Sequence, residues 1–351
     1  MPTNHALYRF LRWLSLGLFL IVAACTTVPA GLPDTPTTSR PANITAYHGH
    51  TSTVYTVAWS PDGTRIASGG NDSTVQVWDA RTGHRLMMYT GHTGTVYSVA
   101  WSPDGTRIAS GSDDSTVQVW NAKSGHLLLT YTGHTAGVRQ VAWSPDGTRI
   151  VSGGNDNTIQ VWNAAAGKRL LTYTGHLGAV FTVAWSPDGT YIASGGNDGT
   201  VQVWNASNGR RLLTYHGHTA GVRQVAWSPD SKRIASASQD GTVQVWNATT
   251  GHTLFTFTDS ARPEWAVAWS PNGRCIAAGT GNTSDERVPE SVQVWSATTG
   301  KLLTSYPIPS IAESGPVDGT FSVAWSPDGT QLASGGADTI VHLWNAPSLC
   351  K

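Results

Sequence analysis

From residue 43 onward the chain is a succession of short apolar runs separated by turn residues. The first four are Val54–Ser60, Arg65–Gly69, Thr74–Trp78 and Arg85–Tyr89. β-Branched and aromatic residues dominate them, the mark of strands and not of helices. Ser60-Pro61-Asp62-Gly63 joins the first two. Pro presets φ, Asp bonds locally and Gly accepts the left-handed conformation, so this stretch predicts a hairpin turn. Asn71-Asp72 and Thr82-Gly83 mark the next two turns. Apolar residues fall on both faces of each predicted strand, as expected for a sheet covered on both sides.

The unit then repeats. Gly-His pairs begin at Gly49, Gly91, Gly133, Gly175 and Gly217, always 42 apart. A Trp recurs at Trp59, Trp101, Trp143, Trp185, Trp227, Trp269 and Trp325, and a second closes each unit at Trp78, Trp120, Trp162, Trp204, Trp246, Trp295 and Trp344. One four-stranded sheet cannot bury its own faces, but seven arranged radially can. The expected fold is therefore all-β, with seven four-stranded antiparallel blades in a ring.

The repeated pattern is Gly49-His50, Trp59-Ser60-Pro61-Asp62-Gly63, Ile66-Ala67-Ser68-Gly69, Asp72 and Val77-Trp78-Asp79, with Asn replacing the last Asp in later units such as Trp120-Asn121. It resembles the WD40 family over residues 43–351, and the resemblance implies a β-propeller. The phase of the repeat also implies how the ring shuts. Only seven residues follow Trp344, so the last blade lacks a fourth strand, while Asn43-Ile44-Thr45-Ala46-Tyr47 matches the fourth-strand position. Residues 43–47 are expected to supply the outer strand of blade seven, running from the bottom of the ring to the top and pairing an otherwise open edge.

The first 24 residues read as an export signal: Arg9 and Arg12 give a cationic start and Leu14–Val22 is apolar but too short to span a bilayer. Val22-Ala23-Ala24-Cys25 resembles the bacterial lipoprotein lipobox. That resemblance implies cleavage before Cys25 and lipidation of its sulfur, anchoring the protein to the extracytoplasmic face of a membrane, the outer one if the host has two. Residues 25–42, rich in Thr and Pro, are expected to form a flexible tether. The charge adds an exclusion. Lys plus Arg is 22 and Asp plus Glu is 22; a nucleic-acid binder would carry a basic excess. No nucleotide loop or metal motif is visible, and no cofactor is expected.

His50, Ser68 and Asp72 suggest a hydrolase triad, but the same three types recur in phase as His92, Ser110 and Asp114, as His134, Ser152 and Asp156, as His176, Ser194 and Asp198, and as His218, Ser236 and Asp240. Five identical active sites in one domain are implausible. Similarity to WD40 proteins implies a structural chain instead, in which Trp78 donates to Ser68, Ser68 to His50 and His50 to Asp72, with Trp120, Trp162, Trp204 and Trp246 in the equivalent places. No residue is assigned a catalytic role. Blade six departs, with Ser260 for the His and Ala278 for the Ser; blade seven keeps Ser334, Asp338 and Trp344 but has Pro316 for the His.

One position varies strongly just before the constant Val-Ala-Trp-Ser run. Four residues before each first Trp stand Tyr55, Tyr97, Arg139, Phe181, Arg223, Trp265 and Phe321. The WD40 pattern puts this position at the start of the innermost strand, on the top face around the channel, where the family often grips peptides. Aromatics and Arg dominate interface hot spots. The competing role is a plug, the side chains merely filling the channel. Fourteen extra residues lie in two loops, Gly279–Ser291 and Pro307–Gly319, expected side by side on the top face and carrying Asp285, Glu286, Glu290, Glu313 and Asp318. No calcium-ligand spacing is recognisable there. Cys275 and Cys350 lie in adjacent blades near the bottom; whether they pair depends on their radii.

The expected function is a lipid-anchored, monomeric propeller that docks a protein or peptide on its top face. The alternatives are a propeller enzyme at the channel mouth and an envelope-assembly lipoprotein acting through its sides or bottom.

Overall fold

Local chemistry sets each hairpin. In the first repeat Gly63 sits at φ 69°, a conformation its missing Cβ permits. Asp62 Oδ1 accepts from the Thr64 amide at 3.0 Å and Ser60 Oγ accepts from the Arg65 amide at 2.9 Å. The turn recurs at Gly105, Gly147, Gly189, Gly273 and Gly329, while in the fifth repeat Ser231 takes the position at φ 59°.

The computed structural model describes residues 45–258, 262–281, 290–308 and 319–351. The leader, Cys25, the tether and residues 43–44 lie outside them. So do Ser260, Asp285, Glu286, Glu313, Pro316 and Asp318. Strands are numbered β1–β28 in chain order. The first blade is β2 (Val54–Trp59), β3 (Arg65–Gly70), β4 (Val75–Asp79) and β5 (Arg85–Tyr89), paired antiparallel in that order. Five more blades repeat it. The seventh has the order β1-β28-β27-β26. There β1 (Thr45–Tyr47) runs antiparallel to β28 (Val341–Asn345), with Thr45 opposite Leu343 and Tyr47 opposite Val341. The protein is a closed seven-bladed β-propeller. The end of the ring carrying the loops that lead into each innermost strand is called the top.

The core lies between blades. Ala67, Val75 and Val77 of blade one bury themselves against Val96, Val99, Trp101 and Trp120 of blade two. This is why both faces of each sheet are apolar. Around the channel, the Trp101 indole donates to the Ala58 carbonyl of the preceding blade at 3.1 Å, and Trp59 closes the circle by donating to Ala324 at 3.3 Å.

A second joint runs further out. Tyr47 stacks on Trp78, Tyr89 on Trp120, Tyr131 on Trp162, Tyr173 on Trp204 and Tyr215 on Trp246, each Tyr coming from the strand before the blade it contacts. Its hydroxyl donates to a Gln of that next blade, as Tyr47 does to Gln76 Oε1 at 2.8 Å. Gln76 Nε2 in turn donates to the Gly49 carbonyl at 3.0 Å. A Cβ on Gly49 would lie 2.4 Å from both the Tyr47 hydroxyl and Gln76 Oε1, so only Gly fits.

Cys275, which opens the second strand of blade six, is disulfide-bonded to Cys350 in the 3-10 turn Ser348–Cys350, with Cα atoms 5.5 Å apart. Both are buried. Asn272 Nδ2 donates to the Cys350 carbonyl at 2.9 Å, seating the chain end under blade six.

Candidate functional site

The variable position is a β-bulge. In blade one Val54 faces Gly70 and Thr56 faces Gly69, so Tyr55 has no partner of its own. The same register skip falls at Tyr97, Arg139, Phe181, Arg223, Trp265 and Phe321. A bulge re-aims a side chain out of the pleat, and here it turns seven side chains toward the axis. Residues beside the bulge rivet the blades: Thr56 Oγ1 accepts from the Val99 amide at 3.2 Å and Ser322 Oγ from the Val57 amide at 3.1 Å. With the scaffold fixed, the bulge position is free to vary.

All seven side chains line one cavity of about 280 Å³ at the top mouth of the channel. Each is half-buried. Six of the seven neighbouring pairs are in ring contact. Tyr55 meets Tyr97 edge-on at 5.2 Å and Phe321 at 5.1 Å, and Phe321 meets Trp265 at 5.4 Å. The Arg139 guanidinium lies 4.0 Å over Tyr97. Arg223 is sandwiched between Phe181 and Trp265, 4.3 Å from each ring centre. Such contacts each contribute roughly 0.5–2 kcal/mol. Plugging and presentation are thus one arrangement, in which mutual packing holds each ring rigid and half exposed.

Two arginines line the mouth. Arg139 Nε donates to Asn155 Oδ1 at 2.8 Å, whereas Arg223 Nε is buried without a hydrogen-bond partner. Neither arginine pairs with a carboxylate among the described residues. Burial, and secondarily the charge on Arg139, push Arg223 down to about 10, still cationic at neutral pH. The base of the first long loop leans on the site. A Cβ on Gly281 would lie 1.8 Å from Trp265 Nε1. Gly281 also bridges to Gly319, bringing the bases of the two long loops together.

The His, Ser and Asp side chains form sealed networks. His50 Nδ1 is 2.9 Å from Asp72 Oδ2 and its Nε2 is 2.8 Å from Ser68 Oγ. An ionised carboxylate only accepts, so Nδ1 carries the proton and a neutral ring accepts from Ser68. The pattern repeats at His92, His134, His176 and His218. Burial tends to raise Asp72, but hydrogen bonds from His50, Thr74 and the Thr51 amide outweigh it and hold the carboxyl at about 2. Asp114, Asp156, Asp198 and Asp240 are lowered likewise. Ser68, Ser110, Ser152, Ser194 and Ser236 are fully buried, out of reach of any substrate.

The tryptophan link expected in that chain needs correction. Trp246 donates to Ser236 at 3.2 Å and Trp344 to Ser334 at 2.8 Å. The indole nitrogens of Trp78, Trp120, Trp162 and Trp204 are buried without a partner. Stacking on the neighbouring Tyr, with planes within 12° of parallel, fixes these rings instead. Blade seven also holds a His–Asp pair that the missing loop His seemed to exclude. His342, at the Gln position of the third strand, reaches Asp338 at 2.5 Å.

The comparisons with known proteins agree with this architecture. The family model described as WD domain, G-beta repeat matches residues 42–79, 83–121 and 310–345. The one described as IFT122 first beta-propeller matches 137–284. The seven-bladed propeller carries WD40 repeats at the matched residues. It is similar to the guanine nucleotide-binding protein subunit beta of Solanum tuberosum, 39% identical over 20% of this chain and 18% of that protein. The WD repeat-containing protein slp1 of Schizosaccharomyces pombe is 54% identical over 11% of this chain and 8% of its own. The transcriptional repressor rco-1 of Neurospora crassa is 37% identical over 18% and 10%. The chain thus spans less than a fifth of the length of these relatives.

Proposed function

We propose that this propeller is a docking platform that grips a protein or peptide segment at the top mouth of its channel. Tyr55, Tyr97, Phe181, Trp265 and Phe321 serve as apolar anchors and Arg139 and Arg223 as polar clamps. It does no covalent chemistry of its own. The observation that carries this reading is the convergence of the seven bulge side chains, all aromatic or Arg, on a single cavity. At about 280 Å³ the cavity is smaller than typical small-molecule pockets of about 300–1,000 Å³, and it suits inserted side chains. One similar protein is named as a subunit, a component of an assembly. The test is affinity capture from detergent-solubilised envelope. The wild type retains a partner that the Arg139→Ala/Arg223→Ala/Trp265→Ala variant loses; equal retention by both transfers the function to the sides or bottom.

The same reading has the chain exported, lipidated on Cys25 and held at the cell envelope. Support comes from the leader and from the buried Cys275–Cys350 disulfide, a bond that persists in oxidising compartments. Labelled palmitate entering the wild type but not Cys25→Ala supports the anchor; equal labelling of both contradicts it.

A further inference from the structure

Two cations face one small cavity with no counter-charge among the described residues, an unfinished arrangement. Arg139 and Arg223 stand in blades three and five, flanking Phe181 of blade four. Every other neighbouring pair of bulge side chains is in ring contact, but Arg139 and Phe181 are not. The circle of contacts is broken there, between Arg139 and Phe181.

The chemistry at the break is selective. Arg223 has both faces covered by rings, so its edge is what remains for polar contact. Arg139 lies over the Tyr97 ring, 4.0 Å from its centre. Edge-on guanidinium groups match a planar carboxylate, which accepts two parallel N–H bonds. An acid placed between them relieves the repulsion of two like charges and meets donors that burial has stripped of water.

A second observation marks the same sector of the rim. In the top loop of blade four, Leu177 is 93% exposed. The equivalent positions in blades one, two, three and five are Thr51, Thr93, Thr135 and Thr219. The Leu177 amide donates to Asp198 Oδ2 at 2.9 Å, so its backbone is tied down and its side chain is held out.

Building on the top-face reading, we infer that the docked segment is an acidic peptide stretch of a protein partner. One Asp or Glu side chain of it enters the channel between Arg139 and Arg223, while an apolar residue of the same stretch packs on Leu177.

The experiment uses the intact, oxidised protein and an array of acetylated nonapeptides in a Gly/Ser/Ala background. Each carries one Glu and one Leu at separations of one to five residues. Matched arrays replace Glu by Gln, by phosphoserine or by Arg. Affinities are read by fluorescence polarisation. The best Glu peptides should bind at least tenfold tighter than their Gln twins. Arg139→Gln and Arg223→Gln should each erase most of that ratio, and Leu177→Thr should weaken binding severalfold without changing it. Arrays in which no Glu peptide exceeds its Gln twin, or in which phosphoserine exceeds Glu, overturn the inference. The comparison lies within the peptides, so an unstable protein variant does not obscure it. If the triple alanine variant still loses its captured partner while Glu and Gln peptides bind alike, top-face docking stands and only the carboxylate assignment falls. If that variant captures all the wild type does, both fall.

Discussion

Tyr47 belongs to blade seven by its backbone and to blade one by its ring. It pairs with Val341 and stacks on Trp78, ring centres 4.7 Å apart and planes 6° from parallel. A three-residue strand thus joins the two ends of the circle, and its ring sits in the core that blades seven and one share. Removing a buried aromatic costs about 3–5 kcal/mol. Tyr47→Ala should therefore lower the calorimetric melting temperature by about 10 °C, and deletion of residues 43–47 should lower it further. An unchanged melting curve for the deletion contradicts closure by this strand.

The depressed carboxyls fix the sign of the acid response. A folded-state value near 2 for Asp72, below the unfolded value of about 3.9, contributes stability that is complete above pH 4 and lost as pH falls through about 2. The stability difference between wild type and Asp72→Asn should be constant from pH 7 to 5 and shrink between pH 4 and 2. Denaturant titrations across that range measure it, and a difference that grows on acidification contradicts the assignment.

The disulfide closes a loop of 75 residues. Chain entropy sets an upper value of about 4 kcal/mol for such a loop. The Cys275→Ala/Cys350→Ala variant should unfold at lower guanidinium concentration by about 2–4 kcal/mol. Superimposable curves would mean that the bond tethers the chain end without stabilising the ring.

Gly281 is required where it stands because Trp265 occupies the space of its missing Cβ. Gly281→Ala should cost about 1–3 kcal/mol by overpacking, and less than half of that in a Trp265→Ala background, where the space is open. A double-mutant cycle by chemical denaturation reads the coupling. Additive effects would place the strain elsewhere.

The repeat made most of the fold legible in advance, because a 42-residue period with two tryptophans repeats one packing problem seven times. The missing fourth strand after Trp344 pointed to residues 43–47. The convergence of Tyr55, Arg139 and their counterparts was legible as a column that holds only aromatics and Arg, but the bulge that aims them was not, since nothing in Val54–Thr56 marks a skipped register. The Tyr47–Gln76 joint stood in the sequence as two further columns of the 42-residue period and was overlooked. The indole bond from Trp78 was misassigned because stacking on a neighbouring blade competes with it. His342 escaped because it answers Asp338 from the column that holds Gln in the other blades, not from the loop that carries the usual His. The pairing of Cys275 with Cys350 turned on where a seven-residue tail folds, which no periodicity encodes.

We propose that the ring docks a macromolecule at its hub. Photo-crosslinking tests it most directly, with benzoylphenylalanine placed singly at Tyr55 or Phe321 in the mouth and at Leu86 or Leu128 on the exposed outer strands. The account predicts a discrete adduct in intact envelopes from the two mouth positions and none from the rim of the blades. Adducts from Leu86 or Leu128, with none from Tyr55 or Phe321, would contradict it.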